Sequence, residues 1–192
     1  MIGLADSAAH VLVGNVSDPV LSEADHHHLA RVLRVRAGER VTVTDGHGAW
    51  QWCEWTGTGL RVVGDGGVRV LPEPAIGVAV SLIKGDRLDW VVQKLTEVGV
   101  DRIQPLVAEH SVVRWTADKA RAQVERLRRI AHEASMQSRR VHLPVVDEPV
   151  SAAQFLALPG VVRADLGAAS WSTALAITLG GAPSATAVRH RA

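Results

Sequence analysis

One cysteine, Cys53, stands in 192 residues, so no internal disulfide can form and no multi-cysteine metal site exists. No apolar run approaches the roughly 18 residues a membrane helix needs. The first residues, Met1-Ile-Gly-Leu-Ala-Asp6, lack the basic start and long apolar core of a signal peptide. Together these absences predict a cytoplasmic protein without a membrane partner. Several catalytic signatures are also missing: the G-x-x-x-x-G-K-[ST] phosphate loop, the G-x-S-x-G elbow and the H-E-x-x-H helix. Nucleotide hydrolysis and metallohydrolysis therefore have little support. Lysine is scarce, at positions 84, 94 and 119 only, so nearly all cationic charge is arginine.

Apolar residues make up 47% and charged residues 21% of the chain, the balance of a globular protein. The formal net charge is only +1, but its distribution is uneven. Arg31, Arg34, Arg36 and Arg40 form one run. Arg121, Arg126, Arg128, Arg129, Arg139 and Arg140 form another. Arginine suits forked contacts to phosphate and stacking on bases; the plain alternative is a set of solvated faces.

Residues 1–72 read as a small β domain. His10-Val-Leu-Val-Gly14 is a short strand. Leu21 to Arg34 holds a short helix with Leu29, Val32 and Leu33 facing inward. Arg40-Val-Thr-Val-Thr-Asp45 and Ala49-Trp-Gln-Trp-Cys-Glu-Trp55 alternate as strands do, around the turn Asp45-Gly-His-Gly48. Leu60-Arg-Val-Val63 and Val68-Arg-Val-Leu71, around Gly64-Asp-Gly-Gly67, read as a further hairpin, and strands at this spacing suggest a small barrel. His26, His27 and His28 do not suggest a metal site, because neighbours on a helix cannot all face one ion. Pro72-Glu-Pro74 marks a boundary, so residues 1–72 are expected to fold independently.

Residues 75–192 read as an α/β region. The apolar run Val78-Ala-Val-Ser-Leu-Ile83 is a parallel strand, and Asp86 is a candidate cap for the helix that follows. Leu88, Val91, Val92, Leu95 and Val98 make an apolar helical face, with Asp89, Gln93 and Glu97 aligned on another. Gly99 ends the helix, and Val100 to Val107 is the next strand: a βαβ unit. A long helix from about Thr116 to Arg139 is capped by Thr116 or Asp118. Its stripe is Val124, Leu127, Ala131, Ala134 and Ser138, and Glu125 is set to pair with Arg129.

The stretch Lys84-Gly-Asp-Arg-Leu-Asp-Trp-Val-Val-Gln-Lys-Leu-Thr-Glu-Val-Gly99 resembles, residue for residue, the K-G-(D)-x-x-(D/E)-W-x-x-Q-K-x-T-E-x-G stretch of the RsmE-type ribosomal RNA methyltransferases. Two further stretches agree, in order. His28-Leu-Ala-Arg-Val-Leu-Arg34 with Asp45-Gly-His-Gly48 matches the family's N-terminal PUA-like barrel. Glu133-Ala-Ser-Met-Gln-Ser-Arg-Arg140, followed by Pro144, resembles E-A-x-x-Q-S-x-R-x-x-x-P. The resemblance implies an α+β protein: a PUA-like RNA-binding barrel, then a partial α/β SPOUT-type domain of the trefoil-knot family. Two departures stand out. His110 replaces the arginine of S-E-R-S-V-V. Neither G-P-E-G-G nor L-G-x-x-I-L-R-x-E-T-A, which in the family bind S-adenosylmethionine and form the knot, is found among residues 151–192. The sequence thus reads as truncated, frame-shifted or fragmentary at its end, with residues 181–192 a loose tail.

What the resemblance implies is methyl transfer from S-adenosylmethionine to N3 of a uridine in 16S ribosomal RNA of the small subunit, by a homodimer. Cationic groups near the uracil oxygens would stabilise charge on the base, and Lys84, Lys94, Arg139 and Arg140 are the candidates. Lys94 with Glu97 also reads as a surface pair, and the two arginines as complements to a helix C-terminus. Arg31, Arg34 and Arg36 are candidate RNA contacts. Gln93, Glu97, Glu133 and Gln137 are the supporting motif residues. No catalytic or cofactor-binding residue is assigned. The competing readings are a non-catalytic RNA-binding remnant, and a domain whose arginine faces bind nothing.

Overall fold

The computed structural model describes residues 4–71, 73–109, 111–161 and 163; Pro72, His110 and the 181–192 tail lie outside them. The N-terminal half is a four-stranded sheet of order β1-β2-β3-β4. β1 (His10–Leu12) pairs parallel with β2 (Arg40–Thr44). β2 pairs antiparallel with β3 (Ala49–Trp55), and β3 antiparallel with β4 (Leu60–Val68). No β1–β4 pairing closes a barrel among the described residues. The core joins Val11, Leu29, Val41, Val43, Cys53 and Trp55. Burial pushes the Cys53 thiol up to about 11, so it is a packing residue rather than a nucleophile.

Two local expectations do not hold in this half. Residues 60–68 form one continuous strand, not the start of a hairpin at Gly64-Asp-Gly-Gly67. Gly66 is needed because β4 runs close to β3: a Cβ there would lie 2.6 Å from the Trp50 carbonyl oxygen. Helix α1 (Glu23–His27) widens into a π-turn at His28–Val32. The turn buries Leu29 and Val35 but leaves Val32 and Leu33 exposed, because it shifts the face that the 3.6-residue period places inward.

The second half is a parallel sheet. β5 (Gly77–Ser81) pairs with β6 (Arg102–Val107), which also pairs with β7 (Val145–Val146) and, further along, β8 (Val150–Ser151). Helix α2 (Arg87–Glu97) connects β5 and β6; α3 (Ala117–Gln137) follows β6, and the short α4 (Ala152–Leu156) follows β8 behind a Ser151–Gln154 capping box. Leu88 and Val92 of α2 and Leu127 and Ala131 of α3 share a core with Ile103 and Val146. Removing a buried side chain such as Leu127 to Ala costs about 2–5 kcal/mol. Thr116 caps α3, its Oγ1 accepting from the Lys119 N–H. Asp86 precedes α2 without a side-chain capping bond, Val98 points outward, and Glu125 pairs with Arg128 instead of Arg129. Among the described residues, no helix is long and apolar enough to cross a membrane.

The two halves meet along the end of α3. β2 alternates valine and threonine, yet Thr42 and Thr44 are as buried as Val41 and Val43. His10 and Ser7 lie against Thr42, and Val141 lies against Thr44. Thr44 Oγ1 lies 3.2 Å from the Val141 carbonyl oxygen, and the Gly48 N–H donates to that same oxygen at 2.8 Å. The Leu143 N–H donates to the Gly46 carbonyl, and Met136 packs on the N-terminal core. Gly48 has φ +107°, and a Cβ there would meet the His142 ring at 2.5 Å, so only glycine fits this joint.

Candidate functional site

Two of the three sequence motifs meet between α2 and α3. Gln93 comes from one stretch, Glu133 and Gln137 from the other. With Asp89, Trp90 and Ile130 they line a groove of about 320 Å³. The helical periods explain the meeting: Trp90 and Gln93 are three apart, Glu133 and Gln137 four apart, so each pair shares one face. Arg126 sets the spacing by pairing with Asp89, and lies 3.7 Å from Asp86. Trp90 is 61% exposed, unusual for so large an apolar side chain. The Gln93 amide donates to Glu97 Oε1 at 2.9 Å, and Lys94 Nζ donates to Glu97 Oε2 at 2.6 Å. The Lys94 bond, with help from Gln93, holds the Glu97 carboxyl below its usual range. Among the described residues, Glu133 and Gln137 make no side-chain hydrogen bond, which leaves them open to a ligand.

The other candidates separate by what holds them. Arg140 is engaged inside the fold. Its Nη1 donates to the carbonyls of Thr96 (3.0 Å) and Val100 (2.7 Å), and its Nη2 to Asp101 (3.3 Å). Burial draws the Arg140 guanidinium pKa down, opposed by Asp101. The guanidinium thus caps the C-terminus of α2, its carbonyls and a carboxylate replacing water. Arg139, in the left-handed region with φ 54°, reaches back to Ser7, donating to its carbonyl at 2.7 Å and lying 3.2 Å from its Oγ. Lys84 is exposed and, among the described residues, unpaired. So are Arg31, Arg34 and Arg36. In the second arginine run, by contrast, Arg121, Arg126 and Arg128 all carry acidic partners.

His10 is a site residue that the sequence does not reveal. It is buried, its Nε2 donating to the Arg140 carbonyl at 3.0 Å and its Nδ1 lying 2.8 Å from Thr42 Oγ1. Desolvation lowers its pKa to about 4; the Arg140 carbonyl opposes this, and the charges of Arg139 and Arg69 add to it. The neutral ring therefore accepts from the Thr42 hydroxyl. No local pattern marks His10, because its partner is 130 residues away. Trp90 carried a usable signal, a tryptophan amid polar positions of an amphipathic helix.

A second hollow of about 490 Å³ opens where β5 and β6 end, among Leu82, Val107, Trp115, Arg121 and Glu148. The carboxyl ends of parallel strands are where α/β sheets bind ligands. No group of three or more histidine, cysteine or acidic side chains able to hold a metal occurs among the described residues.

A sequence profile described as an RNA methyltransferase domain matches residues 71–168, half of the chain. The chain belongs to this RNA methyltransferase family. A second profile, an RNA methyltransferase PUA domain, matches residues 21–51. The chain is 32% identical over 142 residues to the ribosomal RNA small subunit methyltransferase E of Synechocystis sp., covering 71% of this chain and 45% of that protein. The corresponding Bacillus subtilis protein is 33% identical over 136 residues, covering 68% and 53%. The chain thus spans about half the length of the curated relatives it matches. The fold is similar to a crystal structure of ribosomal RNA small subunit methyltransferase E from Neisseria gonorrhoeae bound to S-adenosyl methionine: TM-score 0.71, 24% identity, 94% of this chain and 78% of that one. A probable rRNA-methyltransferase from Porphyromonas gingivalis aligns with TM-score 0.67 and 26% identity, over 86% and 74%.

Proposed function

We propose that this chain is the RNA-holding part of an S-adenosylmethionine-dependent enzyme that methylates N3 of a uridine in 16S ribosomal RNA of the small subunit. The supporting observation is the α2–α3 groove, where Trp90, Gln93, Glu133 and Gln137 converge from two motif stretches. The N3 edge of uracil is normally paired, so the base must be presented unpaired. An exposed indole offers a stacking surface, worth about 1–3 kcal/mol per base. A free glutamine amide both donates and accepts, as the O4/N3–H edge of uracil requires. Arg31, Arg34, Arg36 and Lys84, all unpaired among the described residues, would hold the strand by its phosphates.

The described residues do not by themselves fit the cofactor. Its adenine edge, ribose hydroxyls and amino-acid end need several convergent polar groups. The hollow at the strand ends offers two charged side chains: Arg121, bound to Asp118 at 2.7 Å, and Glu148, 3.7 Å from Arg128. This poor fit favours a second reading, an RNA-binding remnant without activity. Homodimerisation through the methyltransferase domain and a cytoplasmic setting belong to the same proposal; the exposed Val98 on α2 is one apolar side chain a second copy would cover.

Gel-shift titration with a 16S ribosomal RNA fragment tests the reading. Trp90→Ala and Gln137→Ala are expected to weaken binding at constant melting temperature. Wild-type affinity in both variants would move the RNA site away from this groove.

A further inference from the structure

The N-terminal domain carries a separate cavity of about 530 Å³, distinct from the α2–α3 groove and lined in part by Glu23, His26, His27, Ala30, Arg31 and Val35. We infer that it is a nucleotide cradle for single-stranded RNA: a phosphate held by Arg31 and His27, with the attached ribose and base against the apolar lining. The inference rests on the proposed RNA-binding function and names a second subsite for it.

The cavity is built by the π-turn. Leu33 N–H donates to the His28 carbonyl at 2.9 Å, five residues back, so the helix is wider here than an α-helix. His27 and Arg31, four apart, both reach the cavity. His26 is held edge-on against the buried Trp55, ring centroids 5.2 Å apart, and forms a fixed aromatic wall. The volume falls within the span of about 300–1,000 Å³ typical of small-ligand sites.

The chemistry of the lining selects the ligand class. Arg31 and His27 are exposed and make no hydrogen bond or ion pair among the described residues, unlike the engaged arginines of α3. A guanidinium beside imidazole donors matches a phosphate diester. Imidazole and guanidinium planes are surfaces on which unstacked bases lie, and Ala30 and Val35 suit a sugar. Glu23, the carboxylate of the lining, can accept from a base N–H. A free mononucleotide offers the same groups, so the test must separate the two sources.

The test uses the whole chain, a short fluorescently labelled single-stranded RNA and free uridine monophosphate, followed by anisotropy at several salt concentrations. Arg31→Ala and His27→Ala are expected to weaken RNA binding about tenfold each, the equivalent of one charge-assisted contact. Arg31→Ala should also flatten the salt slope by about 0.7. Arg31→Lys, which keeps the charge and cannot disturb a partner, is expected to restore the slope. Arg61→Ala removes a charge paired with Glu54 and serves as control, with wild-type affinity expected. Wild-type binding that survives both cavity variants overturns the cradle while leaving the RNA-binding reading intact. Absence of RNA binding by the wild-type chain overturns both. Competition by uridine monophosphate as effective as by RNA would mark a small-molecule site and also overturn it.

Discussion

The Nε2–H of His10, on the first strand, donates to the main-chain carbonyl of Arg140 just past the end of α3, at 3.0 Å. The same arginine sends its side chain to the C-terminus of α2 and to Asp101. One residue thus joins the N-terminal sheet to both long helices of the methyltransferase domain.

Stability should depend on pH through His10. Its folded pKa, about 4, lies below the ordinary 6.5. Between those values the unfolded chain binds a proton that the folded chain refuses, so stability falls as pH drops from 6.5 toward 4. The loss approaches about 3 kcal/mol at the acid end. His10→Gln keeps a donor for the carbonyl and does not titrate. Denaturant midpoints across pH should converge for wild type and variant at low pH; parallel curves would remove His10 as the cause.

Breaking the Arg140–Asp101 pair should be costly. Both side chains are largely buried, at 12% exposure each. Truncating one leaves the other's charge unpaired, a loss of about 3–5 kcal/mol. Arg140→Ala and Asp101→Ala, with the double variant, are to be compared by urea unfolding. Strictly additive losses would mean that the pair is not coupled.

Cleavage of the linker near 72–76 is expected under limited proteolysis, since two prolines interrupt pairing there. The pieces should nevertheless elute together, because residues 136–143 bond to β2 and to the Gly46–Gly48 turn. Thr44→Val weakens that joint and should promote separation. Fragments of the wild-type chain that part freely would show the joint to be too weak to matter.

Replacing Arg31, Arg34 and Arg36 together by alanine should flatten the salt dependence of RNA binding by about 2, the sum for three phosphate contacts on a single strand. Their side chains have no partners among the described residues, so melting temperature should hold. An unchanged slope places the phosphate contacts elsewhere.

The 192-residue polypeptide is expected to bind S-adenosylmethionine weakly or not at all, to self-associate and not to methylate RNA. The hollow at the strand ends presents too few free polar groups. Calorimetric titration decides it, and micromolar affinity would mean that residues 151–192 rebuild a site without the family's motifs.

What the sequence determined by itself is local. The βαβ unit and α3 follow from apolar residues at helical and strand spacing, and the motif stretches identify the family, because periodicity and capping act within a few residues. The same locality explains the errors. Nothing near Leu29 reveals the π-turn that turns Val32 and Leu33 outward, and the glycines at 64–67 look like a turn until β3 is seen alongside. Tertiary structure alone decided the fate of polar groups. Thr44 meets Val141 across 97 residues, His10 meets Arg140 across 130, and Arg139 meets Ser7 across 132. A buried polar group must find a partner wherever the fold brings one. That requirement draws Arg139 and Arg140 into the joint between the halves and leaves Arg31, Arg34 and Arg36 in solvent.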